Sequence, residues 1–293
     1  AGIVFAVFGP RGAGTVPLGL VGGAVAGVIF HGEAAGDRAG ESVAGWPGSA
    51  AHDDLIIGAP GASPDDGFGH PITAAGYVYA IHGGMNLLAT AGGVNELARV
   101  ANGQVDEIAG VVFIGTSAGA GIGRSTTGGV DVDGDGVNDI LIGGNGEAWV
   151  IPGDDPKTVT GTTTIKKPPD LGGIVAQGRP AQPAGAIEQF GAYWFEPGET
   201  PGAGELVVGG AGDVNADGYD DAIVGAPEAD PGSLPGAGMA WIVFGGPAPP
   251  VGPVLLSEVG ISVSGVAVAG AEPGDALGSS VGGGQDLNDD GIA

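Results

Sequence analysis

The sequence predicts an all-β protein assembled from repeated, multi-stranded units. Two observations carry that reading. Apolar residues gather in short runs, such as Leu55-Ile56-Ile57, Ile140-Leu141-Ile142 and Leu206-Val207-Val208, each fenced by Gly, Pro, Asp or Asn. Runs of that length between turn-formers read as buried strands. In addition, one segment of spaced aspartates followed by an apolar run and glycine recurs along the chain, with no helical periodicity between its copies.

Composition bounds the reading. Glycine (65 of 293 residues) and proline (22) are frequent enough to suggest a low-complexity, disordered chain. A hydrophobic fraction of 43% opposes this, because disordered chains are poor in the residues that build a core. Eight basic against 34 acidic residues give a formal charge of −26. That excludes a nucleic-acid partner bound through phosphate neutralisation, argues against an anionic membrane surface, and leaves cations as natural partners. The absence of cysteine excludes a disulfide scaffold and thiol chemistry. The most apolar stretch, Val16 to Phe30, is broken by Pro17 and by glycines. It is too short to span a bilayer and has no basic segment before it, so neither a membrane span nor a signal peptide is expected there.

Taken in order, the chain opens with AGIVFAVFG, which reads as the closing strand of a unit without the rest of it. The first unit runs from VIFHGEAAGD37RAGES42 through His52-Asp53-Asp54 and LIIGAP to AAGYVYAIHG. The second holds Asp131-Val-Asp-Gly-Asp-Gly-Val-Asn-Asp139, then ILIGG and GEAWVIPG. The third holds Asp213-Val-Asn-Ala-Asp-Gly-Tyr-Asp-Asp221, then AIVGAP and GAGMAWIVFGG. A further copy, Asp286-Leu-Asn-Asp-Asp-Gly291, follows VAVAGAEPGD275ALGSS280. Aligning Gly58 with Gly143 and Gly225 puts Trp46 where the others have their first aspartate, so the copies lie 85, 82 and 73 residues apart.

The approximate units are therefore 25–84, 105–153, 172–246 and 255–293, behind a closing strand at 1–10, all within a single domain. Segments 158–170 and 247–253 are rich in Thr or Pro and read as stiff connectors. A lone four-stranded sheet cannot bury both faces, so such units must pack face to face, and a ring protects their edges. The expected architecture is a β-propeller of four-stranded antiparallel blades, with about four units visible and one split between the termini.

The order F-G or G-D-x-x-G-x-S, then D-x-D/N-x-D-G-x-x-D, then L-I-I-G-A-P, then G-x-x-Y-V-x-F-G is similar to the FG-GAP repeat of integrin α-subunit propellers. It resembles most the bacterial proteins that carry such repeats in series, and the resemblance covers nearly the whole chain. It implies one four-stranded blade per repeat, calcium loops between neighbouring strands, and a secreted or cell-surface location. Rings of the family usually have seven blades of shorter repeats, so blade number stays open.

The aspartate loops suit calcium on chemical grounds. Calcium takes six to eight oxygen ligands at about 2.3–2.6 Å. Carboxylates at positions 1, 3, 5 and 9, with a backbone carbonyl at 7 and a sharp reversal at glycine 6, can wrap such an ion. The expected ligands are Asp131, Asp133, Asp135, the Val137 carbonyl and Asp139 in one loop, and Asp213, Asn215, Asp217, the Tyr219 carbonyl and Asp221 in the next. A partial set, Asp286, Asn288 and Asp290 with the Ile292 carbonyl, stands in the last copy. An EF-hand would need glutamate at position 12, where Ile142 or Val224 stands inside a strand pattern. Plain Asp-Gly turns would leave three or four carboxylates crowded without a counter-charge. Magnesium prefers to keep its water. The first unit has lost its ligands, with Trp46, Gly48 and Ala50 at positions 1, 3 and 5 and only Asp54 retained, so packing by a buried Trp46 is expected to replace the ion.

Enzyme signals are weak. Gly115-Thr-Ser117-Ala-Gly119 matches G-x-S-x-G, but that motif needs a strand-to-helix turn and a later histidine. His31, His52, His70 and His82 all lie upstream. No H-x-x-H pair suggests zinc, and no phosphate loop is present. The expectation is a non-enzymatic module that binds calcium and acts as a self-assembling structural protein, with head-to-tail growth into a filament as one form. The alternatives are a calcium-dependent adhesion module for another extracellular protein or glycan, or the non-catalytic propeller of a larger secreted enzyme.

Overall fold

The computed structural model describes residues 1–9, 15–47, 52–66, 68–84, 93–102, 104–153, 163–164, 174–176, 185–186, 193–248 and 253–284. In chain order the strands are β1 (Ile3–Val7), β2 (Gly27–His31), β3 (Ser42–Trp46), β4 (Asp54–Ala59), β5 (Tyr77–Ile81), β6 (Val94–Glu96), β7 (Gly110–Gly115), β8 (Ser125–Val130), β9 (Asp139–Gly143) and β10 (Ala148–Ile151). They continue as β11 (Thr163–Thr164), β12 (Ile174–Ala176), β13 (Gly185–Ala186), β14 (Tyr193–Glu196), β15 (Val207–Gly212), β16 (Asp221–Ala226), β17 (Met239–Val243), β18 (Pro253–Leu255) and β19 (Gly265–Ala269). Among the described residues, helix is confined to single 3-10 turns. The protein is all-β.

Three antiparallel meanders repeat the same design: β3-β4-β5-β7, β8-β9-β10-β14 and β15-β16-β17-β19. β1 and β2 form the matching last pair of an earlier sheet. Equivalent residues occupy equivalent places, since Phe5 pairs with Ile29, Tyr79 with Val112, Trp149 with Trp194 and Trp241 with Ala267. β3 lies against β8, and β8 against β15, so the sheets stand side by side through their first strands.

The core lies between the sheets, which is why the second strands read as unbroken apolar runs. All five residues of β9 are buried. Trp46, Ile56 and Val78 of one sheet meet Ile140, Ile142 and Trp149 of the next. Leu141 and Val150 meet Val224 and Trp241 in the same way. The glycine after each apolar run has a steric cause. A Cβ on Gly58 would lie 2.1 Å from the Gly123 carbonyl oxygen, one on Gly143 2.3 Å from that of Leu206, and one on Gly225 2.3 Å from that of Gly278. Each is a point where the backbone of the following unit approaches too closely for any side chain.

The sheets depart from the sequence units in two ways. The strand that opens each unit in the sequence is hydrogen-bonded into the preceding sheet: β2 to β1, β7 to β5 and β19 to β17. Two sheets also carry a fifth strand, contributed by the link between the third and fourth strands of the following sheet. β18 adds in parallel to β14, and β12 adds antiparallel to β7. β6 joins β2 in parallel in the same manner. The connector 247–253 thus ends in a residue of a sheet, because Pro253 opens β18. β1 is only half buried, with Ile3 and Val7 exposed at its two ends. The last repeat beyond residue 284, which β1 was expected to complete, lies outside the described residues.

Candidate metal centre

The aspartate loops are the hairpin turns between the first and second strands of a sheet. Loop 131–139 joins β8 to β9, and loop 213–221 joins β15 to β16. Position 9 is therefore the first residue of a buried strand, and Asp139 and Asp221 are both fully buried. Positive φ at Gly136 (85°) and Gly218 (93°) makes the reversal at position 6, as glycine allows.

Backbone donors shape each loop from inside. Asp131 Oδ1 accepts the N–H of Asp135 at 3.1 Å, and its Oδ2 accepts that of Gly136 at 2.9 Å. Asp213 does the same for Asp217 at 3.0 Å and Gly218 at 2.9 Å. The position-9 carboxylate ties the loop to the sheet. Asp139 Oδ2 accepts from Val132 N at 2.9 Å and its Oδ1 from Gly153 N at 2.7 Å. Asp221 accepts from Val214 N and Gly245 N, both at 2.9 Å.

Among the described residues, Asp131, Asp133 and Asp139 bring carboxylate oxygens within 4.8 Å of one another. Burial pushes the Asp139 carboxyl up to about 7, against the pull of its two N–H partners, and repulsion from Asp133 and Asp131 adds to the rise. Asp133 is raised by burial first and by Asp135 and Asp131 after it. Asp221 is likewise raised, by burial and then by Asp217 and Asp213. A set of hard oxygen donors, desolvated and mutually repelling, fits a hard cation such as calcium, whose charge would reverse the cost of ionising them.

The other expected ligands are placed differently. Asp135 stands outside the converged trio, its Oδ1 accepting the N–H of Val137 at 2.7 Å. In the next loop Asn215 Nδ2 donates to Asp217 Oδ2 at 2.9 Å, and Asp217 Oδ1 accepts from Tyr219 N at 3.0 Å. Val137 and Tyr219 stand at position 7, two residues before β9 and β16. Asp286, Asn288 and Asp290 lie outside the described residues, as do Gly48 and Ala50.

Trp46 is buried, and its Nε1 donates to the Asn138 carbonyl at 2.8 Å. Asn138 answers by donating Nδ2 to the Pro47 carbonyl at 2.8 Å. The same position-8 contact recurs one sheet further on. Asp220 Oδ2 accepts from Asp131 N, and Asp220 N donates to Asp131 O, both at 3.0 Å. Each loop is thus clasped by the next. Sequence reasoning missed this role of Asn138 and Asp220, and it also missed His82, whose Nδ1 lies 3.2 Å from Asp54 Oδ2. The available signal was Pro47, a residue without an N–H at the position where Val132 and Val214 donate.

Ser117 lies in a turn between β7 and β8, not in the strand-to-helix elbow that G-x-S-x-G requires. Among the described residues no helix is long and apolar enough to cross a membrane. No curated protein matches the chain. A family model does match residues 206–243, and its description is the FG-GAP repeat. That segment, which contains β15, the loop 213–221, β16 and β17, is similar to the FG-GAP repeat.

Proposed function

We propose that this chain is a calcium-stabilised, propeller-type module of the extracellular space that serves as a structural, self-assembling protein and not as an enzyme. The observation that carries the calcium reading is the convergence of Asp131, Asp133 and Asp139 at the root of a buried strand, with Asp139 raised to about 7. A buried carboxylate that must ionise beside two others is costly, and a bound cation removes the cost. The side-by-side meanders joined through β3, β8 and β15 support the propeller reading, with loops 131–139 and 213–221 at equivalent corners of adjacent blades. The FG-GAP match supports an integrin-like module, and such repeats typically occur in surface proteins. Ser117 in a turn supports a non-catalytic role.

Isothermal titration calorimetry of the metal-free chain with calcium tests this. Saturable binding, with a melting temperature that rises as calcium is added, is the expected result. Calcium held about a hundredfold above its dissociation constant stabilises a native-only binder by about 2.7 kcal/mol. No heat of binding and an unchanged melting curve would overturn the calcium reading.

A further inference from the structure

Two of the links that return to a preceding sheet are built alike. β6 lies on β2 with Asn95 opposite Phe30, and β18 lies on β14 with Val254 opposite Phe195. Each strand runs into a 3-10 turn, Leu97–Arg99 or Leu256–Glu258, whose leading leucine is fully buried. Each turn ends on a buried valine, Val100 or Val259, whose N–H donates to that leucine's carbonyl at 3.0 or 3.2 Å. The link thus straps the outer strand of one sheet and seats its apolar residues in the core between that sheet and the next. Leu97 and Val100 join Phe30, Tyr79 and Val112 there, as Leu256 and Val259 join Phe195 and Trp241.

The first strap departs from this design at two places. Asn95 stands where the other strap has Val254. Asn95 is only 1% exposed, and among the described residues neither its Oδ1 nor its Nδ2 has a hydrogen-bond partner. Val254 meets the same burial with an apolar side chain. The second place is the residue after the turn valine. Gly260 takes a φ of 81° there, and Gly22 takes 82° after Val21 in the matching turn before β2. Ala101 holds the same left-handed position at a φ of 50°, where a Cβ crowds its own backbone. An unpaired buried amide and a left-handed alanine each disfavour the docked state, by about tenfold in population apiece. The ion pair across the strap, His31 with Glu96 at 3.2 Å, is exposed on both sides, and such pairs contribute little.

We propose that residues 94–101 form a releasable strap, which opens from β2 by a local motion while the sheets on either side stay folded. Release bares the outer edge of β2 together with the seats of Leu97 and Val100. An unpaired strand edge beside an apolar hollow offers the two features that strand addition uses. The strap is therefore a removable cover, and its buried asparagine and left-handed alanine set how often it lifts. Strap 253–260, with valine and glycine at those two positions, stays shut under the same conditions. The device needs neither bound calcium nor self-assembly.

Hydrogen–deuterium exchange of the full chain, read by mass spectrometry over 94–101 and 253–260 in a series of low urea concentrations, tests the proposal. Amides of 94–101 are expected to exchange about tenfold to a hundredfold faster than those of 253–260, at a rate that low urea barely changes, as local opening requires. Asn95→Val combined with Ala101→Gly should slow exchange at 94–101 to the level of 253–260. Both changes favour the docked strap, so misfolding cannot imitate that result. Val254→Asn combined with Gly260→Ala should produce the converse in the other strap, where a Cβ on Gly260 has room, its nearest neighbour being 3.7 Å away. Equal exchange at the two straps of the wild type overturns the proposal, as does exchange at 94–101 that the repaired variant leaves unmoved. Exchange at 94–101 that climbs with urea in step with that of buried β9 also overturns it, since the strap would then open only by global unfolding.

Discussion

Nδ1 of His82 lies 3.2 Å from Oδ2 of Asp54, where sister loops place a backbone N–H. Asp54 is the counterpart of Asp139 and Asp221, and its Oδ1 accepts from Gly83 N as theirs do from Gly153 and Gly245. The second donor in those loops is the amide of position 2. In the first unit position 2 is Pro47, which has none, and the imidazole stands in for it.

Replacing His82 with alanine should therefore leave a buried carboxylate oxygen without its donor and cost about 1–3 kcal/mol. Pro47→Ala in that background restores an N–H at position 2 and should recover part of the loss. Urea denaturation measures both. Calcium should not alter the difference, since this loop lacks the ligands. A double variant no more stable than His82→Ala alone would show that the histidine does not replace the amide.

The loop geometry separates Asp139 from Asp135. Asp139 belongs to the converged trio, whereas Asp135 turns to its own backbone at Val137 N. Asp139→Asn should abolish calcium binding at loop 131–139, and Asp135→Asn should weaken it far less. Calorimetric titration of the two variants decides this. Equal losses would mean that Asp135 swings inward on binding and that the trio alone does not define the site.

The raised carboxyl of Asp139 fixes the sign of a pH effect. An ordinary aspartate titrates near 3.8, and Asp139 titrates at about 7 in the fold. Between those values the metal-free native state holds a proton that the unfolded chain releases, so this contribution is present at low pH and fades as pH rises through 7. One proton corresponds to about 1.4 kcal/mol per pH unit. The metal-free chain should melt higher at about pH 5.5 than at about pH 8, and Asp139→Asn should flatten the difference. The variant control matters because the net charge of −26 also eases on acidification. With calcium bound, protons compete with the ion and the gain from calcium should shrink on acidification.

How much could be read from the chain depended on whether a feature was local. The all-β class, the loops and the burial of Trp46 follow from short patterns that each strand or turn carries alone. The glycine of LIIGAP was visible as a repeat, but its cause is a carbonyl oxygen of the next unit, at Gly123, Leu206 or Gly278, and no local pattern names it. β6 and β18 were hidden for the same reason. Three residues such as Pro253-Val-Leu255 become a strand only because β14 offers an edge. His82 was considered for zinc and set aside, and its partner Asp54 lies across a hairpin.

The clasp between loops predicts communication between the two proposed calcium sites. Asp220 takes the Asp131 N–H in its side chain and gives its own N–H to the Asp131 carbonyl, both at 3.0 Å. The Tyr219 ring lies so close to Gly134 that a Cβ there would stand 2.4 Å from it. Asp131 opens the first loop, so its backbone is held by a residue of the second. Ordering loop 213–221 with calcium should stiffen that hold, and the second ion should then cost less ordering to bind. Asp220→Ala removes the side-chain half of the clasp without touching an expected ligand. It should weaken calcium at loop 131–139 by up to about tenfold, in line with about 1 kcal/mol for a hydrogen bond. Affinity at loop 213–221 should change less. Titrating Asp220→Ala in an Asp221→Asn background, where loop 213–221 is disabled, isolates the effect. An affinity there equal to that of Asp221→Asn alone would mean that the loops bind independently.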